Sequence, residues 1–401
     1  MSKRSAAKPK TPSKLRVAGL FAGIGGIEHG LHLAGHETKV LCEIEPGACA
    51  VLEKRFPGVP VHRDICDLEA LPRDIDLLTA GFPCQDLSQA GKTVGIEGTR
   101  SGLVGEVFRL LRQRPTPWVL LENVPFMLQL SRGRAMEVIV ASLESLGYRW
   151  AYRVVTTQAF GLPQRRERVY LLASLEGDPR EVLFADEAGD PPPPEHSWKV
   201  ANGFYWTEGI RGLGWAVDAV PTLKGGSTIG IPSPPAIVLP AGGVVTPELR
   251  DAERMQGFDP DWTSPAEDVT RKSHRWKLVG NAVTVDVAKW IGERLARPSS
   301  AGTLIEGVPL ENAGAWPKAA WNVGAGRFSA SISRWPFHRS GPPLARFLRY
   351  PARPLSIKAT AGFLARTRVS SLRFPPGFIK KLEAHLVVAN KASEERQLSL
   401  L

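Results

Sequence analysis

Four short stretches of this chain hold residue types that could act together on one bound substrate. Gly81-Phe82-Pro83-Cys84-Gln85-Asp86-Leu87-Ser88 sets a thiol on a polar loop directly after the apolar run Ile75–Ala80. Such a thiol is accessible and, once ionised, is a nucleophile. A lone cysteine is more often inert core, but the polar run through Gly91, Gly95 and Gly98 to Gly102 does not read as core and suits a lid. Leu121-Glu122-Asn123-Val124-Pro125 carries a carboxylate at the end of an apolar run, where burial without a partner or a task is costly. Gln164-Arg165-Arg166-Glu167-Arg168 leads into a further apolar run. Strand alternation would set Arg166 and Arg168 on one face, able to orient a carboxylate or a base carbonyl. Leu20-Phe21-Ala22-Gly23-Ile24-Gly25-Gly26 joins a strand to a helix, where glycines admit a ligand close to the backbone and the helix offers free N–H groups. Glu43, about twenty residues on, can accept both ribose hydroxyls of a nucleoside cofactor. Ile44 can pack on its adenine, and Asp64-Ile65 can read the adenine amino group. Taken singly, each stretch has a plain structural reading: a core thiol, an ion pair, a charged strand edge, a packing turn. Placed at successive strand ends, they could converge on one cleft.

The elements that must position them alternate in type. Val17–Phe21, Lys39–Ile44, Ile75–Ala80, Trp118–Leu121 and Arg168–Ala173 read as strands. Ile27–Ala34, Pro46–Phe56, Leu103–Leu111 and Ala135–Leu146 read as helices. This order predicts an α/β unit with a mostly parallel sheet covered on both faces, its ligands outside the strand C-termini. After Ser174 the pattern breaks into a proline- and glycine-rich stretch, 175–245, that predicts a small irregular or β-rich unit. Helical signals return at Pro247–Met255 and Val283–Leu295, and Arg297–Ser300 reads as a linker. The last hundred or so residues mix Trp316, Trp321, Trp335, Phe337, Phe347 and Tyr350 with arginines and end in a charged, frayed tail. The expected organisation is a basic disordered tail over 1–16, an α/β unit carrying the four stretches over 17–174, a small irregular or β-rich unit over 175–245, a further helical segment at 246–296, and a basic aromatic extension over 301–401.

Composition narrows the classes. A chain of 401 residues, 43% apolar and 23% charged, is that of a soluble globular protein with two or three domains. No apolar run approaches a membrane span, and the basic start lacks the apolar core of a secretory signal. The four cysteines, Cys42, Cys49, Cys66 and Cys84, lack CxxC spacing, which argues against a disulfide scaffold or thiolate zinc and fits a reduced, cytoplasmic setting. Cys42, Cys49 and Cys66 read as core residues. Lys and Arg outnumber Asp and Glu by 51 to 40, a formal charge of +11, so a polyanion is the first partner to consider. Residues 1–16 hold six bases and no acid, and 301–401 hold fifteen bases and five acids, leaving 30 bases against 35 acids between them. The excess positive charge lies outside the long central segment.

In order and approximate spacing these stretches resemble the DNA (cytosine-5)-methyltransferases. FAGIGG is similar to that family's cofactor loop, PCQ to its nucleophile loop, and ENV and QRRER to its base-binding segments. Arg250-Asp251-Ala252-Glu253-Arg254-Met255-Gln256-Gly257-Phe258 resembles the segment supporting its recognition domain. Thr222-Leu223 resembles the dipeptide ending that domain, and Gly280-Asn281-Ala282-Val283 the closing segment on the cofactor side. The match spans about 17–296.

The resemblance implies a Rossmann-like methyltransferase fold and S-adenosylmethionine as cofactor, held by Phe21, Gly23, Gly25, Gly26, Glu43, Ile44, Asp64, Ile65, Pro83, Leu103, Asn281 and Val283. It implies double-stranded DNA as substrate, contacted by Gln85, Ser88, Asn123, Gln164, Thr222, Arg250 and Arg254. Cys84 would attack C6 of a flipped-out cytosine, making C5 able to take the methyl group. Glu122 would hold N3, Arg168 would contact O2, and Arg166 would support the carboxylate. No metal is implied. The compact architecture suggests a monomer serving restriction–modification or related phage defence, with cognate restriction or defence proteins as partners. A tRNA-directed relative and a catalytically silent DNA-binding regulator are the alternatives. There are two departures from the family pattern. Gly19 stands where the family often has an acid, which puts a contact at the cofactor's methionine end in doubt. The stretch before Thr222 is also short for a recognition domain. The extension 301–401 is expected either to add DNA contacts or to serve as a folded stabilising appendage.

Overall fold

The computed structural model describes residues 14–83, 102–226, 232–310 and 316–398. The first half alternates: β1 (Arg16–Leu20), α1 (Gly26–Leu33), β2 (Glu37–Cys42), α2 (Pro46–Arg55), β3 (Val61–His62), β4 (Leu77–Ala80), α3 (Leu103–Gln113), β5 (Trp118–Asn123), α4 (Arg134–Ser145), β6 (Arg149–Thr156), β7 (Gln164–Arg165) and β8 (Glu167–Ser174). Local chemistry sets the boundaries. Glu45 caps α2 by accepting the Ala48 N–H, with Pro46 in the first turn.

After the short α5 (Arg180–Leu183) come β9 (Asn202–Phe204), β10 (Ala216–Val217), β11 (Val220–Pro221), β12 (Ala236–Val238) and β13 (Val244–Thr246). The chain continues through α6 (Leu249–Met255), α7 (Arg275–Asn281) and α8 (Val285–Ala296). It then forms β14 (Gly307–Pro309), β15 (Ala319–Asn322), β16 (Phe328–Ala330), α9 (Leu344–Phe347), β17 (Arg353–Pro354), α10 (Ile357–Arg368) and α11 (Phe378–Leu398).

The large sheet has ten strands in the order β14-β16-β15-β6-β8-β5-β4-β1-β2-β3. From β3 to β5 the pairings are parallel, and β8 lies antiparallel between β5 and β6. This is a Rossmann-like α/β sheet whose parallel half runs from β5 to β3, while β8, β6 and the strands beyond them continue it with antiparallel pairings. Both faces are apolar because side chains alternate across it. Ala18, Leu78, Leu121 and Leu171 pack towards α3 and α4. Val17, Leu77, Leu120 and Leu172 pack towards α1 and α8. Gly30 lets α8 approach α1 closely, since a Cβ there would stand 2.5 Å from Val285 O. A second sheet runs β10-β9-β12-β13-β17, its described pairings antiparallel, so 175–245 contributes a small β-rich unit as its composition suggested.

The last hundred residues differ from a single appendage. β14–β16 extend the large sheet beyond β6, while β17 joins the small sheet, and Phe363, Phe378 and Leu382 of α10 and α11 pack against its Phe204, Val238 and Val244. The charged end is helical through Leu398, not frayed. At the other end, Leu15 is already buried and Arg16 already belongs to β1, so the described tail residues are anchored. Cys66 is exposed, contrary to the core expectation, whereas Cys42 and Cys49 are buried.

Charge complementarity explains how the basic extension holds on. Arg327 bridges Glu137 and Glu144 on α4 at 2.8 and 2.7 Å, and Arg334 pairs with Glu167 and Asp190. These contacts support the stabilising alternative for this segment. Glu144 also accepts from Trp150 Nε1 and Asn322 Nδ2, so it is the hub of a partly buried network. Replacing Arg327 with alanine is expected to cost about 1–3 kcal/mol, measured by urea unfolding. An unchanged midpoint would show that the bridge is fully offset by desolvation.

Candidate active site

The C-terminal ends of β1, β2 and β4 surround a cavity of about 250 Å³. Its lining includes Phe21, Gly23, Glu43, Ile44, Asp64, Ile65, Pro83, Leu103 and Asn281, nine positions singled out in the sequence. Phe21 lies at φ 52, a left-handed conformation that a side-chain-bearing residue rarely adopts and that costs about 1–3 kcal/mol. Gly23 follows with φ 55, and its missing side chain leaves open space towards the cavity.

Glu43 organises this end of the site. Its carboxylate accepts the N–H groups of Gly23 at 2.8 Å, Ile44 at 3.0 Å and Glu45 at 2.9 Å. Three of roughly four acceptor positions are thereby filled, so the group arrives oriented, with room for one ribose hydroxyl rather than the expected two. Ile44 beside it is 69% exposed, an apolar surface that suits a flat base. Asp64 Oδ1 is fixed by the Cys66 N–H at 2.9 Å.

Three expected cofactor residues shape the loop without lining the cavity. A Cβ on Gly26 would stand 2.6 Å from Val283 O, so Gly26 and Val283 form one tight contact. Gly25 caps α1 at φ 81, packed beneath Phe56.

A buried charge pair, Glu122 and Arg168, stands beside this cavity. In the β5–β8 register Glu122 opposes Tyr170, which makes Arg168 its diagonal neighbour on the same face. Arg168 Nε lies 3.0 Å from Glu122 Oε1. Burial pushes the Glu122 carboxyl above its ordinary value, while the charges of Arg168 and Arg166 oppose that shift. This carboxyl is therefore suited to holding a proton. A Cβ on Gly81 would lie 3.3 Å from Glu122 Oε2 and 3.9 Å from Phe21 O, so the carboxyl borders the cavity across that glycine.

Arg166 does something else. It sits at the break between β7 and β8, which interrupts the alternation that would have aimed it beside Arg168. Its guanidinium donates to Leu223 O and Gly280 O, both at 3.2 Å, and to Ala282 O at 2.5 Å. Burial, aided by the nearby Arg168 charge, pushes it down to about 9. Arg166 acts on Glu122 through its field, and its hydrogen bonds clamp the segments at 223 and 280–282.

Several expected substrate contacts are likewise used within the protein. Gln164 is fully buried, donating to Met255 O and Gln256 and accepting the Leu223 N–H. Asn123 donates to Phe82 O and accepts the Val124 N–H, fastening β5 to the segment that precedes Cys84. Arg254 pairs with Asp251 and Phe347 O, and Arg250 pairs with Glu248 and lies 3.9 Å from the Tyr350 ring centroid. Both arginines therefore carry the C-terminal extension. Thr222 is half-buried and donates to Arg165 O. Cys84, Gln85, Ser88 and the glycines at 91, 95 and 98 lie outside the described residues.

The cavity also recruits residues that sequence reasoning missed: Cys42, Glu45, Arg63, Gly81 and Lys277 among them. Lys277 stands one helical turn before Asn281, a spacing that could have signalled it. His274 Nε2 meets Glu45 Oε1 at 2.8 Å, tying this helix to the cavity rim. Among the described residues no group of His, Cys, Asp and Glu is arranged to hold a metal, and no helix is long and apolar enough to cross a membrane.

Comparison with known proteins agrees with this geometry. A family model for C-5 cytosine-specific DNA methylases matches residues 15–202. The chain is 47% identical to Type II methyltransferase M2.BsuMI of Bacillus subtilis, over 92% of this chain and 97% of that one. It is 30% identical to Type II methyltransferase M.NlaX of Neisseria lactamica, over 71% and 97% of the respective chains. The solved S. pombe Dnmt2 methyltransferase shares the fold, with a TM-score of 0.51 at 19% identity over 70% of this chain and 98% of its own.

Proposed function

The chain belongs to the C-5 cytosine-specific DNA methylases, and on that premise we propose that it methylates a flipped-out cytosine in a specific duplex sequence through a covalent Cys84 adduct. The observation that carries this reading is the Glu122–Arg168 pair, 3.0 Å apart, set across Gly81 from the cavity. The cavity residues fit an adenosine-bearing ligand: an oriented carboxylate, an exposed isoleucine, and a glycine-lined approach. Bound there, S-adenosylmethionine would supply an electrophilic methyl group.

The remaining chemistry belongs to the chain's own residues. The Cys84 thiolate adds to C6, and the C5–C6 π electrons move onto C5, which becomes nucleophilic. Glu122 holds a proton at N3, and Arg168 donates to O2, drawing off charge as the adduct forms. After C5 is methylated, loss of the C5 proton restores the double bond and expels the thiolate. C6 is inaccessible inside a duplex, so the base must leave the stack at a cost of a few kcal/mol. The unit over 175–245, with β17, α10 and α11 behind it, would select the target sequence. The Type II relatives support a role in protecting host DNA within a restriction–modification system.

Glu43→Ala is expected to weaken S-adenosylmethionine binding about tenfold to a hundredfold, read by calorimetry, because it frees the Gly23 N–H and removes a charged acceptor. The function itself is tested by incubating purified protein, S-adenosylmethionine and genomic DNA, followed by bisulfite sequencing. Protected cytosines in one sequence context are expected. Methylation of tRNA instead of DNA would overturn the proposed substrate.

A further inference from the structure

Glu28 is a buried carboxyl that none of the chemistry above uses. It lies in the first turn of α1, 1% exposed, over β1 and β4, where Gly19 and Thr79 are register partners. Its Oε1 accepts from Thr79 Oγ1 at 2.8 Å, and its Oε2 is buried with no hydrogen-bond partner among the described residues. Gly19 makes the room, because any Cβ there would collide with Glu28 Oε1. A carboxyl with a bare buried oxygen is costly, and packing alone does not call for one.

Its position gives it a task. Two residues beyond Gly19 and Thr79 the chain reaches Phe21 and Gly81, which both line the cavity. At strand spacing, Glu28 therefore lies roughly 7 Å beneath the cavity floor. Alternation puts Gly19, Thr79, Gly81 and Glu122 on the same face of the sheet. If Glu43 and Ile44 hold the adenosine, the sulfonium must lie towards Gly81, since the methyl group has to meet a base held by Glu122.

We propose that Glu28 is a proton-linked counter-charge beneath the cationic methionine end of the cofactor, ionised in the complex and partly neutral in the free protein. It is a positioning residue, acting through its field, and this rests on reading the cavity as the S-adenosylmethionine site. Burial raises the Glu28 carboxyl to about 7, against the Thr79 hydrogen bond. The elements around it carry Glu43 beyond β2, His29 and His32 on α1 itself, Asp286 and Lys289 on α8, and Arg16 on β1, paired with Asp76. Of these, Glu43 acts on it, favouring the neutral form. A bound cation would favour the ionised form, so binding releases a proton and tightens as pH rises.

The test is calorimetry of S-adenosylmethionine and S-adenosylhomocysteine at pH 6, 7 and 8, with wild type and Glu28→Gln. For wild type and S-adenosylmethionine, Kd is expected to be about tenfold higher at pH 6 than at pH 8. Glu28→Gln should lose that dependence beyond what the ligand's own amine contributes. S-adenosylhomocysteine, which lacks the sulfonium charge, should show less of it in wild type. Thr79→Val removes a bond that favours the ionised form, so its transition should move to higher pH, which keeps the proposal testable if the glutamine variant folds poorly. Identical pH profiles for wild type, Glu28→Gln and Thr79→Val overturn the counter-charge. Absence of cofactor binding to wild type at every pH overturns the reading of the cavity, and the counter-charge with it.

Discussion

Replacing Cys84 with alanine is expected to lower methyl transfer by at least ~10⁴-fold while leaving S-adenosylmethionine affinity within about twofold of wild type. The magnitude follows from the substrate. Cytosine C5 is a poor nucleophile, and only addition at C6 places electron density on it. Without the thiolate, the oriented donor and the Glu122–Arg168 pair face a base that does not attack. Two measurements check this: incorporation of labelled methyl groups, and trapping on DNA bearing 5-fluorocytosine. There the C5 position has no proton to lose, so the adduct should accumulate with wild type and be absent with the variant. Substantial methyl transfer by Cys84→Ala would sink the covalent mechanism, and the proton-holding role of Glu122 with it.

The second large effect is expected at Glu122. Glu122→Gln keeps the shape and removes the acidic proton, so the methyl-transfer rate should fall about 10²–10⁴-fold with cofactor binding unchanged. The pH profile separates this from a packing defect. Burial holds the carboxyl above its ordinary value, so the protonated form extends to higher pH than in a free glutamate and declines as pH rises through that raised value. Wild-type activity should show this alkaline decline, and the residual activity of the variant should not. Linkage gives a second sign. A group whose value is raised by folding favours the folded state fully at low pH and loses that contribution as pH rises. Wild type should therefore lose stability relative to Glu122→Gln on going from pH 4 to pH 8. A parallel pair of melting curves would contradict the raised value.

The charge pattern takes on a physical meaning in the structure. The central segment has more acids than bases, and the extension supplies arginines that meet some of those acids: Arg327 at Glu137 and Glu144, Arg334 at Glu167 and Asp190. Arg366 donates to the carbonyls of Trp206 and Glu208 on the small β unit. These arginines bind the chain to itself. Removing 301–401 would strip three strands from the large sheet and one from the small sheet, so such a truncation reports on folding before it reports on DNA.

The alternation of most strands and helices, the glycine turn before α1, and nine of the residues lining the cavity were legible in the sequence. Each depends on local geometry: a turn that needs glycine, a carboxylate at a strand end, a residue that follows a strand by one position. β6 was not legible, because Arg149 and Arg153 break its apolar pattern. Only the fold shows that Arg153 is fully buried, with its guanidinium satisfied by Ser333 O, Leu183 O, Asp186 O and Glu187. The same limit applies at the site. The family resemblance pointed to Glu122 and Arg168 together, and the β5–β8 register makes them diagonal neighbours. It did not show the bonds that Arg166, Gln164 and Arg254 make within the protein, to partners 57 to 116 residues away for Arg166, 59 to 92 for Gln164 and 93 for the Arg254 bond to Phe347 O. The sequence by itself determined which groups could do the chemistry. Whether a given arginine faces a substrate or a buried carbonyl was decided by tertiary structure, because that depends on which distant backbone oxygens the fold leaves without a donor.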